Sequence, residues 1–187
     1  MATAALDTRR WTREEYERRV NEGYFQPGDR VELVDGVLYE MSPQSGYHAD
    51  GVSLVEYALR PLYPEGFYLR IHMPLALSFD SEPEPDIAVV SGRPGDYSPH
   101  HPTTAILIVE VADSSLYHDR KRKASLYARA GIPEYWILNL VKRCLQVYRH
   151  PKDSVYTTRF VLRAGDTVSP LAGPEASIPV ASLLPRR

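Results

Sequence analysis

Asp86, Glu110 and Lys123 are the residues whose types and positions could do chemistry. Glu110 interrupts Ala105-Ile106-Leu107-Ile108-Val109-Glu110-Val111-Ala112, a run otherwise free of polar side chains. An ionised carboxylate in such a run is costly unless a cation pairs with it. Two readings stay open: a strand-end Glu, solvated or paired with Lys or Arg, or a metal ligand. Asp86 follows Glu82-Pro83-Glu84-Pro85 and opens Asp86-Ile87-Ala88-Val89-Val90. If the two segments are neighbouring strands, both carboxylates point to one end of a sheet. Two hard oxygen ligands there suit Mg2+ or Mn2+, with water and a substrate phosphate filling the remaining positions. The plainer account of Asp86 is a turn-forming Pro-Asp.

Downstream, Asp119, Lys123 and Tyr127 are spaced four apart and share one face of a helix. Ala124 and Tyr127 face the core, so Lys123 sits at the edge of the buried stripe, able to reach back over the strand end. By the plainer account it belongs to a solvated basic run, Arg120-Lys121-Arg122-Lys123. The single cysteine, Cys144, lies in Cys144-Leu145-Gln146-Val147-Tyr148. It reads as a packed thiol, and alone it builds neither an internal disulfide nor a cysteine-rich zinc site.

The frame around these groups is legible from periodicity. A helix is predicted over Trp11 to Val20, with Thr12 and Glu15 at capping-box spacing and Trp11 and Tyr16 turned inward. Val31-Glu32-Leu33-Val34, Asp35-Gly36 and Val37-Leu38-Tyr39-Glu40-Met41 predict a hairpin. After the loop Ser42 to Gly46, Val52, Val55, Leu59 and Leu62 share one face of a helix over His48 to Leu62. Strands are predicted at Phe67 to Ile71, Leu75 to Leu77, Asp86 to Val90 and Ala105 to Ala112, the last covered on both faces. A loop spans Ser91 to Pro102. A helix from Tyr117 to Ala130 ends at Gly131, and Glu134 to Leu138, Cys144 to Arg149 and Val155 to Leu162 read as strands.

The 187 residues, 43% hydrophobic, make one α/β domain, 1–187, with enough chain for a core. A net charge of -2 argues mildly against a protein that coats nucleic acid, without excluding an enzyme that touches few phosphates. Met1 to Leu6 lacks the pattern of a signal peptide, and no apolar run approaches the ~20 residues of a membrane span. A cytoplasmic protein without a membrane segment is expected.

Pro85-Asp86, Val109-Glu110-Val111-Ala112-Asp113-Ser114-Ser115, Asp119-Arg120 with Lys123 and Tyr127-Ala128, and Gly131-Ile132-Pro133-Glu134-Tyr135-Trp136-Ile137 resemble the signature of Uma-two, a bacterial restriction-endonuclease family of the PD-(D/E)XK nuclease superfamily. Glu32-Leu33 before Asp35-Gly36, Met41-Ser42-Pro43 and His48 fit its amino-terminal pattern, and the likeness runs from Val31 to Leu184. It implies a restriction-endonuclease-like core of helix, three strands, helix and strand. The amino-terminal hairpin and carboxy-terminal antiparallel strands are additions to that core. It implies Asp86 and Glu110 as metal ligands, and Glu32 looks like the extra acidic ligand from an earlier element. The superfamily motif places lysine two residues after the glutamate, where this chain has Ala112. The resemblance suggests that Lys123 takes that role. His48 is matched by position only, and a helix-start histidine satisfied locally is the plainer reading.

The expected function is metal-dependent hydrolysis of DNA phosphodiester bonds by Asp86, Glu110 and Lys123. Ser114 and Ser115 are expected to cap a helix rather than act as nucleophiles. The alternatives are a nuclease fold without useful activity, acting as a nucleic-acid or protein binding module, and a metal hydrolase with another substrate. Cutting both strands needs two sites, so a two-fold homodimer is expected, with Tyr148, Tyr156 and Phe160 as its surface.

Overall fold

The computed structural model describes residues 9–26, 28–63, 65–113 and 122–186. Helix α1 (Arg13–Asn21) is capped by Thr12, whose hydroxyl accepts from Glu15 N–H at 3.2 Å. Strands β1 (Val31–Val34) and β2 (Val37–Glu40) are joined by Asp35 and Gly36, at φ 51° and 73°, the left-handed pair that a two-residue hairpin turn requires. Trp11 and Tyr16 pack with Val31, Leu33 and Leu38 into a small core of their own.

Helix α2 (Gly46–Leu59) starts two residues before the expected position, because Ser45 caps it by accepting from His48 N–H at 3.2 Å. A 3-10 turn over Arg60–Leu62 completes the predicted segment. Then come β3 (Phe67–Ile71), β4 (Ile87–Ser91), β5 (Leu107–Ala112), helix α3 (Ala124–Arg129), β6 (Glu134–Asn139), β7 (Cys144–Lys152) and β8 (Val155–Arg163). Two short strands, β9 (Thr167–Val168) and β10 (Ile178–Pro179), pair with each other near the end of the chain. The part of the predicted third helix at 117–121, with Asp119 and Lys121, lies outside the described residues, as do Ser114 and Ser115.

The main sheet has the order β3-β4-β5-β6-β7-β8, antiparallel throughout except for the parallel pair β5 and β6. Every residue of β5 is buried, as expected for a strand covered on both faces. On one face Val52, Val55 and Leu59 of α2 pack on Val109, Val111 and Trp136. On the other, Tyr127 of α3 and Val34 and Tyr39 of the hairpin pack on Ile108, Tyr135 and Ile137. Helix, three strands, helix and strand are thus α2, β3 to β5, α3 and β6, the restriction-endonuclease-like arrangement.

Two expectations are corrected. Leu75 to Leu77 joins no strand, since its N–H groups donate to Pro83, Pro102 and Ser81 carbonyls in neighbouring loops. The aromatics assigned to an assembly surface face inward: Tyr148 is buried, Tyr156 donates to Ile132 O at 3.0 Å, and Phe160 packs against the core beneath Arg149.

A candidate active site at the end of the central strands

Asp86 immediately precedes β4, and the register Ile87 with Val109 sets it opposite Glu110 across the antiparallel pair. Glu110 has the parity of Ile108 and Ala112, and Asp86 that of Ala88, so both side chains belong to the face covered by α3 and the hairpin. Asp86 N–H approaches Glu110 Oε2 at 3.5 Å. Beyond the last paired residue of β4, Val111 N–H donates to Asp86 Oδ2 at 2.7 Å.

Lys123 and Tyr127, one helical turn apart, both reach Glu110 Oε1, Lys123 Nζ at 3.0 Å and the Tyr127 hydroxyl at 2.8 Å. Lys123 Nζ also lies 3.0 Å from Glu32 Oε2. That oxygen accepts in addition from Glu84 N–H at 3.2 Å. Asp86, Glu110, Lys123 and Glu32 are each at most 6% exposed, so their charges meet with little water between them. Burial pushes the Tyr127 phenol well up, and the Glu110 charge adds to this, so the hydroxyl remains a donor. Lys123 therefore occupies the end of the sheet that Ala112 leaves without a cation. The sequence brought Asp86, Glu110 and Lys123 into consideration by position and the family resemblance added Glu32, and the fold brings all four together.

Two histidines stand on the other side of Asp86. His48 Nε2 is 3.0 Å and His72 Nδ1 3.4 Å from Asp86 Oδ1, with the rings stacked at 6.4 Å between centroids. Gly51 lets α2 lie close enough for this, since a Cβ there would meet Val111 Cγ1 at 2.9 Å. His72 follows β3 at a left-handed φ of 50°, an uncommon state for histidine, and its N–H donates to Asp86 O at 3.1 Å. Burial lowers the His72 pKa, against the opposing pull of Asp86. Sequence reasoning placed His48 in a purely local role and missed His72, which no periodic pattern marks.

Among the described residues, three buried carboxylates, Asp86, Glu110 and Glu32, thus converge with the Lys123 ammonium. Glu110 does have the basic partner that the plain reading allows. Among the described residues no group of three or more His, Cys, Asp or Glu is arranged to hold a metal ion. What the fold offers is a two-carboxylate pair, with Glu32 held to it through Lys123. Mg2+ commonly uses one or two carboxylates and fills its shell with water and phosphate, so this oxygen set fits such an ion.

The fold and this arrangement define a restriction-endonuclease-like α/β protein. Residues 13–181 match the family described as Uma2, "Putative restriction endonuclease". The chain belongs to that family. A crystal structure of "a putative nuclease belonging to DUF820" from Anabaena variabilis is similar to it with a TM-score of 0.73 at 15% identity, covering 92% of this chain and 97% of the other. No curated protein matches the chain by sequence. No helix among the described residues is long and apolar enough to cross a membrane.

Proposed function

We propose that the chain is a metal-dependent endonuclease that hydrolyses DNA phosphodiester bonds. The observation that carries this reading is the convergence of three buried carboxylates, Asp86, Glu110 and Glu32, with the Lys123 ammonium at one end of the sheet. Asp86 and Glu110 would hold Mg2+ or Mn2+, with Glu32 beside them, tied to Glu110 through Lys123. A divalent ion bound there supplies an activated water and offsets charge on the phosphoryl oxygens.

Val111 N–H donates to Asp86 Oδ2, and the ring nitrogens of His48 and His72 lie 3.0 and 3.4 Å from Asp86 Oδ1. These contacts orient the Asp86 carboxylate, which would offer an oxygen to the ion. Lys123, an ammonium between two carboxylates, is placed to donate to the attacking water or to a phosphoryl oxygen. Tyr127 holds Glu110 from the helix side.

The test is plasmid nicking with Mg2+ or Mn2+, against EDTA and against Asp86→Ala. Metal-dependent nicking that Asp86→Ala abolishes supports the reading. Equal nicking by wild type and variant, or none by either, refutes it. A second reading is a nuclease fold that binds without cutting. It is favoured by the Glu32–Lys123–Glu110 bridge, in which the lysine serves as the counter-ion.

A further inference from the structure

A second concavity opens at the same end of the sheet, on the opposite side of the first turn of α2. It has a volume of about 390 Å³ and is lined by Tyr47, Asp113, Leu140, Val141, Arg143 and Pro185. Asp113 follows β5 directly, and Leu140 and Val141 follow β6, so the cavity sits beyond the carboxyl ends of the two parallel strands. This is where open α/β sheets commonly bind ligands. Asp113 is three residues past Glu110, which at ~3.3 Å per residue sets the cavity about 10 Å from the carboxylate pair.

Its walls are held firmly. Ser45 Oγ donates to Asp113 Oδ2 at 3.0 Å, tying the start of α2 to the end of β5, and Arg143 donates to Pro185 O at 3.1 Å. Successive helical residues point about 100° apart. His48 turns to Asp86, and Tyr47 beside it turns to the cavity. Tyr47 is 56% exposed, and among the described residues its ring and hydroxyl take no hydrogen bond or ring contact.

The lining selects a ligand class. Leu140, Val141 and Pro185 make an apolar floor, and Tyr47 is an unused aromatic face. Asp113 accepts hydrogen bonds, and the Arg143 guanidinium donates them. A purely apolar ligand would leave both charges without a role, and a bare phosphate would be repelled by Asp113. A nucleobase uses every element, its face on the tyrosine and its donor and acceptor edge toward Asp113 and Arg143. A base paired within a duplex cannot enter such a recess, so the nucleotide must be unpaired. We propose that this cavity receives a base of an unpaired strand whose backbone passes the Asp86–Glu110 end of the sheet. The inference rests on the nucleic-acid reading above and adds strandedness to it.

The test is fluorescence anisotropy in Ca2+ with a short labelled DNA strand, its duplex and the RNA strand of the same sequence. The proteins are wild type, Tyr47→Ala, Tyr47→Trp and Val141→Asp. Val141 is 61% exposed, so this last change alters the cavity without touching the core. Wild type is expected to prefer a single strand over duplex. Tyr47→Ala and Val141→Asp should weaken that binding by roughly fivefold to a hundredfold, the range for one stacked base, and Tyr47→Trp should retain it. Loss for either DNA or RNA supports the site, and the larger loss names the sugar. Wild-type binding that both cavity variants match within twofold overturns the cavity alone. Wild type binding none of the three probes overturns the nucleic-acid reading and the cavity with it.

Discussion

Lys123 Nζ lies 3.0 Å from Glu110 Oε1 and is 95% removed from solvent with it. A buried pair of this kind is strongly coupled: removing one partner leaves an uncompensated charge. Spacing alone suggests that Lys123→Met would spare folding, but the geometry predicts otherwise. Without metal, Lys123→Met should lose about 3–5 kcal/mol in urea unfolding. Arg122→Met is the control. Arg122 is exposed over the Tyr39 ring, and its loss should cost less than about 1 kcal/mol. Similar losses in the two variants would show that Lys123 is ordinary surface charge.

Divalent metal should stabilise the wild type, because it would bind the folded pair of Asp86 and Glu110. The gain is about 2.7 kcal/mol at one hundred times the dissociation constant. Thermal melts with Mg2+, Mn2+ and EDTA measure it. Glu110→Gln should remove the shift, and an unshifted wild type at millimolar metal would refute the ion site.

Tyr127→Phe removes one donor to a buried carboxylate and little else. It should cost roughly 1.5–3 kcal/mol, the range for hydrogen bonds to charged groups. Urea unfolding gives the number, and a neutral result would mean that Glu110 replaces the hydroxyl at no cost.

Burial, with Glu17 alongside and Arg13 opposing, raises the Glu82 carboxyl to about 8. The folded chain therefore keeps a proton that the unfolded chain releases at the ordinary carboxylate value. Stability from this group is fully present below that value and is lost as pH rises through about 8. Glu82→Gln cannot ionise. Its melting temperature should gain on the wild type as pH rises, by ~2–4 °C for each kcal/mol recovered. Parallel pH profiles would exclude a buried proton at Glu82.

Double-strand cutting by a single-site domain calls for a two-fold homodimer. The exposed side of β8, with Val155 and Val161, replaces the inward-facing aromatics as its candidate surface. Light scattering at tens of micromolar decides the matter, and a monomer would make nicking the expected activity.

The residues that carried local signals were legible in the sequence. Thr12 with Glu15, Asp35-Gly36 and the apolar run around Glu110 each state their structure within a few positions. Lys123 and Tyr127 were placed together by helical spacing, and both meet Glu110. Contacts set by distant chain were not legible. His72 reaches Asp86 only because the backbone turns left-handed after β3. Glu134 is as buried as Glu110, yet passed as an ordinary strand residue. Its partners are Trp136 Nε1 at 2.8 Å, Arg149 Nε at 2.8 Å and Leu171 N–H at 2.7 Å. Only the β6–β7 register, which sets Glu134 opposite Arg149, reveals that pairing.

The cluster gathers residues 32, 86, 110 and 123 from a hairpin, two strands and a helix. During synthesis the three acids leave the ribosome before the lysine that binds two of them. An incomplete chain thus carries the carboxylates without the lysine that bridges two of them. Such long-range closure is also the slow part of folding. A truncated product ending before Lys123 therefore has neither the bridge nor the complete site.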